Sequence, residues 1–534
     1  MAYIWMTIAY LIDVLFMSFF GEKLLDSDMA SEMILSDILN SEKSITGLTH
    51  SWYYSTEIRV LEMQWFYRIG LLLSPKNWHM ARTIGMALAL IVFVVAIVLM
   101  FNSLGMKDAA KYGAAIALMP GGSWYFWQTL YGGYYLPYVI IAFFTMTLSV
   151  AIVRNKERVS GSGKGKVISS KHQKIKQFGM LTVIALLGLL SGMNGVKQLM
   201  VFYAPFVLAT GFMLLYGIRK ETIKQENLFK TTQMRMFGLA GLSTFFSFIG
   251  YLINSKVLAC SYYFQQFGDT KINGRTVLDC LRYYIWSFGF ANGKQLLSFK
   301  GIASMIGLLI GVVTVVSAIC LIRRFNALCI WEQYLTAISI SIIVFCIFIF
   351  SYVGGEIQYF QSAVPWGLFL IVLELKTEKY VFVASRKILL NLAFIMLLFT
   401  SVGTLANQFD ENTFFDEENA NHMEKVEHNF RARPGYDEVL HIVEDNGYTQ
   451  GVARFWDGNL LTELSDGNIE MWILDEYQAD DIDPWLQKVA HSNGLPEGRY
   501  FFVAKNDDQY YEFTDRHPEI SMIYQDDRYV VFGN

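Results

Sequence analysis

Apolar residues run in long unbroken stretches through the first three quarters of the chain and in short alternating ones through the last quarter. A helix that crosses a bilayer needs about 20 mostly apolar residues. Stretches of that kind lie near 2–20, 82–103, 109–128, 134–153, 178–194, 199–217, 237–254, 301–322, 332–351, 359–376 and 386–405, and they predict eleven spans. Pro120-Gly121-Gly122 interrupts the third, and a failure to cross there would invert every later loop. Beyond residue 407 the pattern shortens. GVARF, IEMWIL, YFFVAK, ISMIYQ and RYVVF read as strands, and YDEVLHIVEDNG and DPWLQKVAHSNG as helices. The expected fold class is an α-helical polytopic membrane domain, residues 1–407, followed by a small soluble α/β domain, residues 408–534.

Charge sharpens that division. Residues 1–407 hold 34 Lys and Arg against 19 Asp and Glu, whereas residues 408–534 hold 9 against 28. The overall −4 therefore conceals a basic piece and an acidic one. The segment 154–177 carries eight Lys/Arg and one acid around a Gly/Ser-rich linker, and 219–235 carries five. Arg323, Arg324, Lys376, Lys379, Arg386 and Lys387 flank later spans. With a cytoplasmic N-terminus and eleven spans, all of these fall inside, as the positive-inside bias requires. The long segments 21–81 and 255–300 then face outward, as does the C-terminal domain. The opening MAYIWMTIAYLIDVLFMSFFGEK lacks a basic leader and a cleavage site, and is expected to be a retained first span of a multi-pass cell-membrane protein. Anionic lipids suffice as partners for the juxtamembrane basic segments. No phosphate-cradling loop or dinucleotide fingerprint is present, so no nucleic-acid role is supported.

Candidate chemistry concentrates in the outer segment 21–81. Asp26 and Asp28 follow the first span within eight residues. Off a helix, residues i and i+2 point the same way, so the pair can present two carboxylates to one hydroxyl or one divalent cation, Mg or Mn. The bland alternative is that Asp28 caps the next helix while Asp26 is a solvated charge. Ala30, Met33, Ile34 and Ile38 recur at helical spacing after the pair, with Glu32 and Asp37 opposite, which suggests an interfacial helix. SWYYSTEIRVLEMQWFYRIGLLL then sets Glu57, Arg59, Glu62 and Arg68 among aromatics. Cys260 and Cys280 share an expected outer loop, which allows a disulfide without requiring one. Five of the eight histidines lie in the C-terminal domain, at spacings that fit no compact metal motif.

A first span, an outer D-x-D, DSDMASEMILSDIL and then SWYYSTEIRVLEMQWFYRIG resemble the polytopic GT-C superfamily of glycosyltransferases, which includes protein O-mannosyltransferases and aminoarabinose transferases. SGMNGVKQLMVFYAPFVL (191–208) is similar to the G-x-x-G-x-[KR] turn and apolar-Pro span of such proteins. The resemblance implies a polyprenyl-phosphate-linked sugar donor, an envelope glycan, lipid or protein acceptor, and a single inverting displacement. An acid of the first outer loop acts near the acceptor, which here means Asp26 or Asp28, in an order left open. Phosphate or acceptor contacts would come from Glu57, Arg59, Arg68, Lys197, Arg275, Arg282 and Gln358. Such enzymes differ in metal dependence, so the Asp pair does not establish an ion. Where familiar members place Arg-Tyr near the start of a late span, this chain has Gln358-Tyr359. The C-terminal domain is expected to assist acceptor binding or packing. Two other classes fit the same topology: a transporter or flippase of lipid-linked saccharides, for which Asp13 is the acid inside a span, and a non-catalytic envelope-assembly protein.

Overall fold

Pro120-Gly121-Gly122 does break the third apolar stretch. The computed structural model, which describes residues 2–161, 170–220, 225–264, 274–291, 294–377, 383–407, 433–475, 481–506 and 510–534, ends a helix at Ala117 and resumes helical turns only from Ser123 to Tyr131. Tyr125 Oη donates to the Ala117 carbonyl at 2.8 Å and so occupies an acceptor that the break releases. The Gly/Ser core of the linker at 162–169 and the acidic connection 408–432 lie outside the described residues.

In chain order the helices are α1 (Ala2–Phe20), α2 (Ser27–Ser41), α3 (Gln64–Leu73), α4 (Trp78–Ser103), α5 (Lys107–Ala117), α6 (Leu136–Gly161), α7 (Ser170–Gly192), α8 (Ala204–Arg219), α9 (Thr232–Ile253), α10 (Val277–Trp286), α11 (Phe299–Arg323), α12 (Ile330–Val353), α13 (Val364–Thr377), α14 (Val383–Asn407) and α15 (Arg433–Asp445). Strand β1 (Gln450–Arg454), helix α16 (Phe455–Leu464), strands β2 (Glu470–Leu474) and β3 (Phe501–Lys505), helix α17 (Tyr511–Arg516), and strands β4 (Ser521–Gln525) and β5 (Tyr529–Gly533) complete it.

Among the described residues, eight helices are long and apolar enough to cross a membrane, which makes this a multi-pass membrane protein. They match eight of the eleven expected stretches. The other three differ for local reasons. The third is broken at Pro120. The tenth begins as a 3-10 turn, Ile357–Ala363, and leaves α13 with only 14 residues. In the eleventh, the described apolar part covers Asn391–Ala406.

The chain forms two compact units. The first comprises residues 1–13, 90–255 and 270–407. Its tightest helix pair is α7 with α9, which meet through residues too small to hold them apart. A Cβ on Gly188 would strike the Ser243 carbonyl, one on Gly192 the Ser247 carbonyl, and one on Gly250 the Leu189 carbonyl. The motif that follows α7 turns at Gly195, whose φ of +97° only glycine adopts readily. Gln198 Nε2 then donates to the Tyr138 carbonyl at 3.0 Å.

The second unit comprises residues 14–89, 256–269 and 408–534. Its sheet has the order β2-β1-β3-β5-β4. β1 pairs parallel with β2 and β3, and β5 pairs antiparallel with β3 and β4. Val452, Leu474, Phe502, Val530 and Phe532 fill one side against Tyr510 and Phe513. All five expected strands are present. The helix expected over DPWLQKVAHSNG is not, apart from a 3-10 turn at Val489–Asn493. That segment instead lines the β2 edge, where Asp483 N donates to the Ile473 carbonyl and Gln487 bonds Ile473 at both N and O, each at 3.0 Å. An open strand edge with unmet backbone groups outcompeted a weak helical preference.

Substituting Ala at Gly192 should cost about 1–3 kcal/mol of overpacking. At Gly179, where nothing lies within 4 Å, the same change should be neutral or slightly stabilising. Thermal unfolding of both variants in detergent checks this.

Candidate active site

Asp26 sits at the N-cap of α2 in extended backbone (φ −123°, ψ 173°), and its carboxylate accepts the Met29 N–H at 2.8 Å. The cap is thus Asp26, not Asp28. Asp28 occupies the first turn, where helix N–H dipoles favour an anion. Nine of the fifteen residues of α2 are buried, more than one apolar face supplies, because α3 packs on one flank and α16 on another. Ser27 Oγ donates to the Phe455 carbonyl at the start of α16. The C-terminal domain therefore builds directly onto the helix that carries the Asp pair.

A buried ion pair fixes that junction. Arg82 donates Nε to Glu463 Oε1 and Nη2 to Glu463 Oε2, both at 2.6 Å, and Nη2 also donates to the Met29 carbonyl at 2.7 Å. Its guanidinium lies 4.7 Å from the centroid of the Tyr67 ring. Both charged side chains are 2–3% exposed. The fork geometry suits Arg and not Lys.

The carboxylates around this pair repel one another in a poorly hydrated space. Burial pushes Asp26 well above the ordinary carboxylate range, the Asp28 charge adds to it, and the Met29 N–H and Arg82 only partly offset it. Glu32 is also raised, chiefly by burial, while Arg59 and Arg82 pull it back. Arg59 lies 3.7 Å from Glu32. Two carboxylates this close disfavour being charged together, and it is Asp26 whose burial and neighbour both oppose its charge. The arrangement thus sets a carboxyl in the first turn of α2 beside a buried carboxyl that caps the helix.

Glu32 and Arg59 also line a cleft with Trp52, Tyr54, Glu57, Gln64 and Leu486, of about 330 Å³ including open solvent. The extended segment 481–493 holds its Trp52 wall, since Tyr53 N donates to the Gln487 carbonyl at 2.8 Å and Val489 N to the Ser51 carbonyl at 2.9 Å. His491 anchors that segment, stacked on Trp472 with its Nε2 2.9 Å from Glu470. His491, countered by burial and aided by Lys488, lowers the Glu470 carboxyl to about 2.

The remaining expected residues have other places. Arg68 donates Nε to Asn40 Oδ1 at 2.8 Å and lies over Trp65, tying α3 to α2. In the first unit, Lys197 Nζ lies 5.7 Å from the Tyr135 ring, and Arg275 donates to Tyr283 Oη at 2.9 Å and faces Glu356 at 3.9 Å. Arg282 faces Asp279 at 3.4 Å, and Gln358 falls in the 3-10 turn before α13. Cys260 is exposed, Cys280 is buried, and both are free thiols. Among the described residues, no group of three or more His, Cys, Asp or Glu side chains is placed to hold a metal. The sequence reading missed Arg82 and Glu463 as site residues. A charge at the head of the apolar run HMARTIGMALAL was the one signal for Arg82; Glu463, 381 residues away, gave none.

No protein-family profile and no curated protein sequence matches the chain. Its fold does match solved structures. ArnT from Cupriavidus metallidurans in the apo state superposes with a TM-score of 0.57 at 11% identity, covering 99% of this chain and 97% of that one. The same protein bound to undecaprenyl phosphate gives 0.55 at 11%, with the same coverage. The Archaeoglobus fulgidus oligosaccharyltransferase tethered to an acceptor peptide gives 0.47 at 10%, covering 94% and 69%. The fold expected from the sequence, a polytopic helical domain with a small C-terminal α/β domain, is thus one this chain shares with ArnT.

Replacing Arg82 with Ala strands Glu463 and should cost roughly 3–5 kcal/mol, whereas Arg82→Met with Glu463→Leu should recover most of it, by thermal unfolding. Asp26→Asn tests the electrostatics. Because the folded state raises the Asp26 pKa, its favourable contribution is complete below the ordinary Asp value of about 3.9 and is lost as pH rises through the raised one. Asn still caps. The variant should therefore be more stable than the parent above that raised value, with the gap closing as pH falls toward 4.

Proposed function

We propose that this protein is a membrane glycosyltransferase that moves a sugar from a polyprenyl-phosphate carrier to an acceptor at the outer face of the cell membrane. The observation that carries it is the Asp pair at the head of α2, directly after an apolar span, set among buried carboxylates and Arg82 on a chain with the ArnT fold. The ArnT structure with undecaprenyl phosphate supports the choice of carrier.

Asp28 is the proposed base. It accepts the proton of an acceptor nucleophile, which attacks the anomeric carbon as the bond from that carbon to the phosphate oxygen breaks. The configuration inverts, and polyprenyl phosphate leaves with the electron pair. Asp26 is the proposed positioning acid, since its cap bond to the Met29 N–H fixes the start of the helix turn that carries Asp28. Arg59, 3.7 Å from Glu32 on the unit that carries the Asp pair, is the proposed cation for the leaving phosphate, whose growing charge needs fixed donors. Arg68 is assigned to scaffolding instead, because Asn40 and Trp65 hold it. The residues set out for a metal stop at the Asp pair, and no step is routed through one.

A flippase of lipid-linked saccharides is the second reading. It draws on Asp13, which is fully buried inside the first span with neither carboxylate oxygen hydrogen-bonded among the described residues.

Removal of a general base costs about 10²–10⁴ in rate. Asp28→Asn should therefore reduce transfer of labelled sugar from a polyprenyl-phosphate pool in membranes by at least about a hundredfold, with thermal stability retained. Full transfer by this variant would refute the assignment of the base. Translocation of the lipid-linked sugar without transfer, lost in Asp13→Asn, would favour the flippase.

A further inference from the structure

The end of the first unit where α8, α11 and α13 finish and α12 begins gathers cations. Three of them are engaged inside the protein. Arg154 donates to the Ser103 carbonyl and lies over Trp331, Arg324 pairs with Glu374, and Lys376 reaches Glu332 at 2.8 Å. Three others are exposed, and their side chains form no ion pair or hydrogen bond among the described residues: Arg219 and Lys220 at the end of α8, and Arg323 in the last turn of α11. A helix dipole favours a cation at a helix end. It does not explain why the two acids at this end are spent on other cations. The sequence supplies no balance either, since 219–235 holds five Lys/Arg against two Glu.

An aromatic seam joins the two helix ends. Tyr216 Oη donates to Asn326 Oδ1, and the Phe325 ring packs on Tyr216 and Phe212 at centroid distances of 5.3 and 6.0 Å. Arg219 and Lys220 lie three and four residues beyond Tyr216, on its side of the helix, and Arg323 lies two before Phe325. All three cations therefore border one seam. Farther along the same helices, Phe212, Leu215, Ile319 and Ile322 are 45–68% exposed.

Cations above an exposed apolar face specify what covers them. A free phosphate would meet the charges and leave the apolar face unused. Phosphatidylcholine would bring its own cation to a place that already holds three. An anionic phospholipid matches both parts, and the guanidinium forks of Arg219 and Arg323 suit its phosphate oxygens.

We infer that this seam binds one anionic phospholipid, its phosphate on Arg219, Lys220 and Arg323 and its acyl chains along Phe212 and Leu215 of α8 and Ile319 and Ile322 of α11. The site belongs to the first unit, the Asp pair to the second, and it stands whether or not the chain transfers sugar.

The test uses the full-length protein in detergent, titrated separately with phosphatidylglycerol, phosphatidylcholine, glycerol 3-phosphate and polyprenyl phosphate, with the unfolding midpoint as readout. Phosphatidylglycerol should raise the midpoint saturably, less so in high salt, and phosphatidylcholine should not. Arg219→Gln and Arg323→Gln alter exposed side chains and should keep the parent's midpoint without lipid. Each should weaken the phosphatidylglycerol half-saturation roughly fivefold, the worth of one cation near a lipid surface. Any polyprenyl phosphate response should be the same in all three proteins. The inference is overturned if the two phospholipids act alike, if both variants respond as the parent does, or if glycerol 3-phosphate alone reproduces the shift. Loss of a polyprenyl phosphate response in both variants would also overturn it, by giving these cations to the carrier.

Discussion

A guanidinium clamped by a carboxylate, a backbone carbonyl and an aromatic ring, out of reach of water, is the constraint on which the second unit depends. Arg82 and Glu463 join the outer segment to α16, and Met29 and Tyr67 complete the guanidinium's surroundings. A buried ion pair is weak evidence for stability, because desolvation consumes most of the attraction. What it does supply is discrimination. Any slide of α16 along α2 would leave two charges buried and alone, so the pair selects one register where apolar packing would tolerate several.

The same charge shapes the Asp pair. Arg82 is a nearby cation for both Asp26 and Glu32, and Glu463 is a further anion acting on Asp26. The C-terminal domain thus contributes to the electrostatics of α2 as well as to its packing. It reaches the cleft too, through Leu486 and through the extended segment that holds Trp52. The acidic α/β domain and the outer segment form one piece of chemistry.

Much of this was legible in the sequence wherever a local pattern sufficed. GVARF, IEMWIL, YFFVAK, ISMIYQ and RYVVF each fell within a residue of one of the five strands among the described residues, and eight long apolar runs became helices long enough to span. Patterns failed where a tertiary partner decided the outcome. DPWLQKV became an edge segment because Gln487 could bond Ile473 at both backbone groups. The stretch 359–376 opens in a tight turn, and α13 is buried along its whole first half, so apolarity there reflected packing instead of length enough to cross. Asp26 and Asp28 were visible as a pair, but which one caps depends on a single N–H, that of Met29. Arg82 and Glu463 are paired only in three dimensions.

A ribosome delivers this chain from its N-terminus, so α2 and Arg82 emerge long before Glu463 exists. Until α16 has been made, Arg82 has no Glu463 to clamp it, and until the segment after β2 follows, the stretch carrying Trp52 has no Gln487 or Val489 to grip. The chemistry therefore waits for the end of synthesis. A product cut short between α14 and α16 would keep its spans and its Asp pair, and would lack the countercharge and the wall that surround α2 in the full chain.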